Sequence, residues 1–565
     1  MTFVPRDWAT ACPDWEDRIV EGRSLIPELP LFDPVAGKAL RIFKRLRVPD
    51  LVGTPTYGEV CEDWVFDFVR AIFGSYDPET KRRMIREFFL MIPKKNGKSA
   101  IAAAIILVAA ILNERPEVEL ILIAETHTIA GISFRQMEGM IKLDPGLTAI
   151  FHVRSHLKVI LHRTTGAMIR ILSADGDVVT GSKAAYILVD EAHVLGHKTK
   201  AADLYVELTG GLASRPEGFF LEITTQSKIE PHGEFKRRLQ RARAVRDGKL
   251  DLPILAVIYE MPREMQKSEA WRDPATWGIV NPNLERSVSL DYLRDEMTKA
   301  EIDGPDKLAL FASQHLNVEI GLGLHSERWV AADYWAGQGA EALGLTEIMA
   351  RSEVCVVGGD LGGADDLSSL CVMGRCRETR HRLVWAKAWV HPGVLKKRQE
   401  IAPKLLDLEA AGDLVIDADV DVHVAQMVDI CMALESAALL PEANAIGLDA
   451  YGVAALLDAL ELAGMPLEKF GAVGQGFKLN GAIKGLERRL LNGTLEHGEQ
   501  PMMTWCLGNA KAEARGNNVL ITKARAGVAK IDPLIAMFNA AILMDMNPEA
   551  AGGPSVYEER GLLTV

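Results

Sequence analysis

An apolar run that stops at a polar turn and passes straight into an apolar helix constrains this chain more than any other stretch. Phe88-Phe-Leu-Met-Ile-Pro-Lys-Lys-Asn-Gly-Lys-Ser99, followed by Ala100 to Leu112, predicts a buried strand, a tight loop and a buried helix. Lys98 and Ser99 stand where a phosphate-binding loop puts two groups: the lysine that reaches the β- and γ-phosphates and the hydroxyl that ligates Mg²⁺. The helix N-terminus adds backbone N–H donors. The pattern G-x-x-x-x-G-K-[ST] lacks its first glycine, which is Ile92 here, so Gly97 alone supplies permissive backbone. A Gly-Lys-Ser triplet is also an ordinary helix start, and the rest of the chain separates the two readings.

Three more apolar runs follow that first one, Phe88 to Ile92: Val118 to Ala124, Tyr186 to Val189 and Phe219 to Ile223. Alternating with helical segments, they predict a doubly wound α/β domain with a mainly parallel sheet. Tyr186-Ile-Leu-Val-Asp-Glu191 delivers two carboxylates at a strand end. Asp190 suits Mg²⁺, and Glu191 suits orienting and deprotonating a water that attacks the γ-phosphate of ATP. The run at Phe219 ends in Thr224, Thr225 and Gln226, where a residue sensing that phosphate would sit. His193 reads as a packing residue at a helix start.

A chain of 565 residues exceeds what one core serves, so at least two domains are expected. The net charge of −13 argues against a protein that coats nucleic acid, but not against a local basic track. Lys236, Arg237, Arg238, Arg241, Arg243, Arg246 and Lys249 crowd one segment, and Arg41, Lys44, Arg45 and Arg47 another. Seven cysteines lack zinc or disulfide spacing, and the apolar runs are too short to span a bilayer. A soluble, cytoplasmic protein with reduced thiols and no membrane partner is expected.

Glycine and alanine rise over 321–344, which reads as a junction. Glu353-Val-Cys-Val-Val-Gly-Gly-Asp360 is then a strand ending in a carboxylate, and Ser368 to Met373 with Arg382 to Trp389 continue an antiparallel meander. Asp449 closes the short run Ala445 to Leu448, and Asp532 precedes Pro533 at a helix start. Three aspartates from separate elements are compatible with an RNase H-like nuclease. Its two Mg²⁺ or Mn²⁺ ions, about 3.5 to 4 Å apart, need such hard oxygen ligands.

Several stretches occur in one order over roughly residues 55 to 545. They are Pro93 to Ser99, Ile187 to His193, Gly211 to Gly218 with Thr224 to Gln226, Val357 to Leu361, Ile446 to Asp449, Gly474 to Phe477, His497 to Pro501, Trp505 to Ala510 and Lys530 to Pro533. In this order the chain resembles the large terminase subunit of tailed bacteriophages, in the HK97-like branch. The resemblance implies an N-terminal arm (1–54), a P-loop ATPase domain (55–232), a lid (233–320), a linker (321–344), an RNase H-like nuclease domain (345–546) and a tail (547–565). It also implies ATP-driven movement of double-stranded DNA into a procapsid and cleavage of concatemeric DNA. Lys94, Lys95, Asn96, Gly97, Lys98, Ser99, Asp190 and Gln226 would bind nucleotide, Glu191 would be the base, and Arg215 would act in trans, with Lys183 as the alternative. Asp360, Asp449 and Asp532 would hold the nuclease metals, with Asp366 assisting a metal or fixing the turn. Leu414 to Val420, with Asp417, Asp419 and Asp421, resembles an extra hairpin, and the basic segment 236–249 would face DNA. A portal protein, a small terminase subunit and a homo-oligomeric ring on the procapsid are the implied partners. Where the family tends to have Trp-Gln to contact adenine, this chain has Trp64-Val65. The other readings of the same motifs are a DNA helicase or remodelling ATPase, or an inactive prophage relic.

Overall fold

The computed structural model describes residues 8–173, 184–198, 200–320, 329–362, 366–399, 401–449, 453–515, 518–523 and 530–550. They divide into two units, 1–320 and 321–565. The first is built on an eight-stranded sheet. Its strands are β1 (Glu87–Met91), β2 (Glu119–Ala124), β3 (Phe151–Arg154), β4 (Val159–His162), β5 (Met168–Ser173), β6 (Ala184–Asp190), β7 (Phe219–Thr224) and β8 (Ile254–Ile258). In space they run β8-β1-β7-β6-β2-β5-β4-β3, parallel from β8 to β5, with β4 and β3 added antiparallel at one edge. Every residue of β6 is buried, because a strand covered on both faces must be a continuous apolar run rather than an alternating one.

The helices that cover this sheet include α1 (Asp33–Arg45), α2 (Asp63–Gly74), α3 (Lys98–Leu112), α4 (His127–Lys142) and α5 (Gly233–Arg246). Beyond Lys98 and Ser99, α3 is apolar all round and is buried accordingly. Helix α1 corrects the expectation of an irregular arm: Ala36, Ala39 and Phe43 recur at helical spacing and are buried against α2. The segment expected to be a lid, 233–320, opens with helix α5 and then adds a strand to the sheet of this unit. Its β8 pairs in parallel with β1, a short apolar strand hidden in a polar, helix-patterned stretch.

The basic helix α5 is also corrected. Arg238 pairs with Glu222 and Glu87, and Arg243 and Arg246 share the buried Glu260. Three of its arginines therefore bind this unit together rather than facing DNA, while Arg237 and Arg241 remain on the surface. Helix charge was visible in the sequence. Its partners on β1, on β7 and just after β8 were not.

In the second unit the expected linker is partly core. Trp329 and Trp335 are buried, and the Trp335 ring stacks on His497 with centroids 3.7 Å apart. Residues 321–328 lie outside the described residues. The sheet comprises β9 (Ser352–Leu361), β10 (Ser368–Cys376), β11 (Arg382–Val390), β12 (Leu414–Ile416), β13 (Ile446–Leu448), β14 (Phe470–Ala472) and β15 (Leu495–His497). Its order is β12-β11-β10-β9-β13-β14, with β15 also on β11, and β9-β10-β11 form the expected antiparallel meander. No hairpin forms around Leu414–Ile416: β12 pairs in parallel with β11 and leads to α6 (Val420–Ser436). Asp419 caps that helix by accepting from Asp421 N, so the alternating aspartates belong to a helix start.

A separate hairpin, β16 (Ala510–Arg515) and β17 (Asn518–Lys523), precedes α7 (Asp532–Asp545). Helix α7 lies directly on β9, and Gly358 permits it: a Cβ there would meet Ala536 O at 2.1 Å and Ala540 N at 2.3 Å. This close approach sets the start of α7, with Asp532, beside the end of β9, with Asp360. Among the described residues no helix is long and apolar enough to cross a membrane, and the seven cysteines are free.

Candidate active sites

In the first unit β1, β6 and β7 end on one edge of the sheet, and their C-terminal residues form the first centre. Lys95 at φ 71° and Gly97 at φ 76° turn the loop into α3. A left-handed lysine is costly, and the surroundings hold it there. Asn96 is fully buried: its Nδ2 donates to Pro93 O (3.1 Å) and to Asn281 Oδ1 (2.8 Å), and its Oδ1 accepts from Asn283 N (3.1 Å). Asn283 Nδ2 donates to Asn96 O (2.8 Å), while Trp64 Nε1 donates to Asn283 Oδ1 (2.9 Å). Ser287 Oγ donates to Lys95 O (2.5 Å). The loop is thus shaped by a clamp from residues 281–287, which no motif in the sequence announced.

Lys98 Nζ lies 2.9 Å from Glu191 Oε1. Burial is the strongest influence and works to raise the Glu191 carboxyl, but Lys98, His193 and Lys94 together hold the group below its ordinary value. Asp190, 3 % exposed, is pushed up to about 6 by burial and then by Glu191. Ser99 bonds to it, and Ser133 Oγ on α4 donates to its Oδ2 at 3.4 Å, but its Oδ1 is buried without a partner. A buried carboxylate oxygen left bare beside a serine hydroxyl fits a Mg²⁺ ligand set. His193, set aside in the sequence, has its Nδ1 3.2 Å from both Glu191 Oε2 and Thr224 Oγ1. Burial lowers its pKa to about 4, so it is neutral at physiological pH; its hydrogen bond goes to Thr224 at the end of β7, while Glu191 Oε2 stands near it without a hydrogen-bond partner.

Lys94 is half-buried, and desolvation followed by the charge of Lys228 lowers its pKa. Gln226 is fully buried: its N donates to Asn317 Oδ1 (2.9 Å) and its Nε2 to Glu319 Oε2 (3.4 Å). Gln314 joins it to the loop, accepting from Lys94 N (2.8 Å) and donating to Gln226 O (2.8 Å). Arg215 precedes β7, at the opposite edge of the sheet and about 20 Å of strand from Thr224. There its Nη1 donates to Ser214, and Glu217 is taken by Arg115. The structure does not bring Arg215 to its own unit's Lys98 and Glu191. Lys183 lies outside the described residues. Val65 is fully buried in α2.

In the second unit Asp360, Asp449 and Asp532 come from β9, the end of the neighbouring β13 and the first turn of α7. Burial, then the charges of Asp532 and Asp449, push the Asp360 pKa up to about 8. Burial and then Asp366 push Asp532 up to about 6. Lys523 Nζ stands 3.0 Å from Asp366 and 3.5 Å from Asp532, and Lys530 Nζ 2.5 Å from Asp366. Burial alone would raise Asp366, and the two lysines instead hold it below its usual value. Among the described residues no three Asp, Glu, His or Cys side chains meet tightly enough to hold a metal as they stand. Asp532 Oδ2 is buried without a partner, and carboxylates this crowded fit divalent cations in their donor chemistry.

Two family descriptions match the chain: "Terminase large subunit, ATPase domain" over residues 64–241 and "Terminase large subunit, endonuclease domain" over residues 257–547. The large terminase subunit of Enterobacteria phage HK97 is 24 % identical over 485 residues, 83 % of this chain and 88 % of that one. Protein YmfN of Escherichia coli strain K12 is 22 % identical over 372 residues, 64 % of this chain and 77 % of that one. The crystal structure of the HK97 large terminase superposes with a TM-score of 0.46 at 21 % identity, covering 90 % of this chain and 99 % of that one.

Proposed function

Because the chain belongs to the terminase large subunit family, with an ATPase and an endonuclease domain, we propose that it drives double-stranded DNA into a procapsid by ATP hydrolysis and cuts concatemeric DNA. The ATPase and endonuclease activities go with those two domains, and the second sets aside a helicase. The observation that carries the site assignment is the buried Lys98–Glu191 pair at 2.9 Å beside Asp190 with its bare Oδ1.

In this reading Lys98 leaves Glu191 for the β/γ-phosphates when ATP binds, and Glu191 is released as an ionised carboxylate able to take a proton from water. His193, neutral and hydrogen-bonded to Thr224, lines the site beside the other Glu191 oxygen. Lys94, Lys95, Asn96 and Gly97 shape the cradle, and Gln226 responds through Gln314. Ser99 and Asp190 would hold Mg²⁺, which neutralises phosphate charge when bound. In the second unit Asp360, Asp449 and Asp532 would hold two Mg²⁺ or Mn²⁺ ions, which supply an activated water and stabilise the leaving oxygen.

The partners of this reading are a portal protein, a small terminase subunit and further copies of the chain in a ring, in the host cytoplasm. Arg215, far from its own site, would serve a neighbour's. Glu191→Ala should lower ATP turnover by about 10² to 10⁴ and leave plasmid cleavage intact. Asp360→Ala, Asp449→Ala or Asp532→Ala should do the reverse. Normal cleavage by all three variants sinks the nuclease assignment. For Arg215, turnover should return when Arg215→Ala and Glu191→Ala subunits are mixed on the portal, and failure of that rescue removes the trans role.

A further inference from the structure

The lysines of the second centre are not distributed as a nuclease needs for metal alone. Lys523 ends β17, Lys530 precedes α7, and both point at Asp366. Lys530 is buried, and its backbone is tied down because its O accepts from Asn509 Nδ2 at 3.0 Å. Lys523 is different. It is about a third exposed, sits on both Asp366 oxygens at 3.0 and 3.1 Å, and extends a longer limb of 3.5 Å to Asp532 Oδ1. The second Asp532 oxygen stays bare. An ammonium on a flexible stem, strongly held at one carboxylate and weakly at the next, can release the weaker contact without leaving the site.

We propose that Lys523 is the resident counter-cation of the nuclease centre, anchored on Asp366 and competing with a divalent ion for Asp532. Asp366 is then the anchor of that ammonium rather than a metal ligand. Without metal, Lys523 offsets part of the repulsion among Asp360, Asp449 and Asp532. When a divalent ion enters, the 3.5 Å limb breaks and the anchor persists, so this lysine sets how readily the nuclease loads.

The inference rests on the nuclease reading above, and the test separates the two. Mn²⁺ binding is measured by the electron paramagnetic resonance signal of the free ion, on the full chain without nucleotide. An Asp190→Asn background keeps the ATPase centre from contributing. Lys523→Met should bind Mn²⁺ about tenfold tighter, since a cation in contact with a ligand carboxylate is removed. Lys523→Arg should bind as the parent does. Lys523→Gln, which keeps a polar side chain, should also bind more tightly, and it serves if the methionine variant fails to fold. Asp360→Asn should lose tight binding. If Asp360→Asn loses Mn²⁺ but neither Lys523→Met nor Lys523→Gln tightens it, the counter-cation is overturned and the site stands. If Asp360→Asn binds Mn²⁺ like the parent, the site itself is wrong and the inference falls with it.

Discussion

Both centres gather carboxylates that must accept a cation, yet they manage the charge in opposite ways. In the first, Lys98 sits directly on Glu191, and of the two carboxylates only Asp190 is left with a raised pKa, of about 6. In the second, the lysines are drawn to Asp366, and Asp360 faces Asp532 and Asp449 with a pKa of about 8. The first centre is therefore self-neutralised before nucleotide arrives. The second is under repulsion that a divalent ion relieves. The difference lies in where the lysine is carried: at the first residue of α3 in one case, on a hairpin outside the sheet in the other.

The comparison breaks most visibly if the second centre is pried open mechanically. Gly358→Leu would drive a side chain into Ala536 O and Ala540 N, where even a Cβ meets atoms at 2.1 and 2.3 Å. Relief requires α7 to lift, at a cost of about 3 kcal/mol or more. Calorimetry should show the second unit's transition lowered or lost, with cleavage abolished and ATP turnover retained. Normal cleavage by this variant would mean that α7 does not position Asp532.

Opposite signs are expected from neutralising one carboxylate in each unit. Glu260 is buried between Arg243 at 2.5 Å and Arg246 at 2.7 Å, so Glu260→Gln removes the carboxylate they share and leaves Arg243 on Glu319 and Arg246 on Asp247. A loss of about 1.5 to 3 kcal/mol in the first unit should follow, read by denaturant unfolding. Asp360→Asn should instead stabilise the metal-free second unit at pH 8. The folded Asp360 keeps its proton between about pH 4 and 8, where the unfolded chain has released it, so stability falls as pH rises through that window and levels off above it. Asp190 contributes the same fall only up to about pH 6. Raising pH from 6 to 8 in a chelator should therefore lower the second transition by about 1 to 3 kcal/mol, whereas the first should rise, because His193 and His315 stay neutral when folded and the unfolded chain gives up their protons over this range. Mn²⁺ or Asp360→Asn should remove the decline, and a decline that persists in Asp360→Asn assigns it to another group.

What could be read in the sequence was whatever a single run displays. The strands β1, β2, β6 and β7 are continuous apolar runs, and the groups at their ends, Lys98, Asp190, Glu191 and Thr224, follow directly. The meander and the start of α7 at Pro533 were legible for the same reason. Residues that act across the fold were not. Asn281 and Asn283 lie 185 and 187 residues beyond the Asn96 they hold, and Lys523 lies 157 beyond Asp366. The arginines of α5 misled because a run of like charge shows its cations while its carboxylates sit on or beside other strands. Trp329 and Trp335 hid in a glycine- and alanine-rich stretch whose overall composition outweighed two large apolar rings.

The smallest expected effect probes the clamp on the loop of the first centre. Trp64 Nε1 donates to Asn283 Oδ1, and Asn283 in turn donates to both the side-chain Oδ1 and the backbone O of Asn96, so the tryptophan acts on the loop through one intermediate. Trp64→Phe keeps a ring against Tyr259, whose centroid is 5.6 Å away, but removes the donor. A part-buried hydrogen bond of this kind contributes about 1 kcal/mol, equivalent to about fivefold in an equilibrium constant. Nothing in the chain from Trp64 to Asn96 touches Lys98 or Glu191, so the loss should fall on nucleotide affinity: KM for ATP rises about fivefold while kcat holds, and cleavage is unchanged. A fall in kcat with KM constant would place the clamp in the chemical step, and the loop would then be an active lever rather than a preformed cradle.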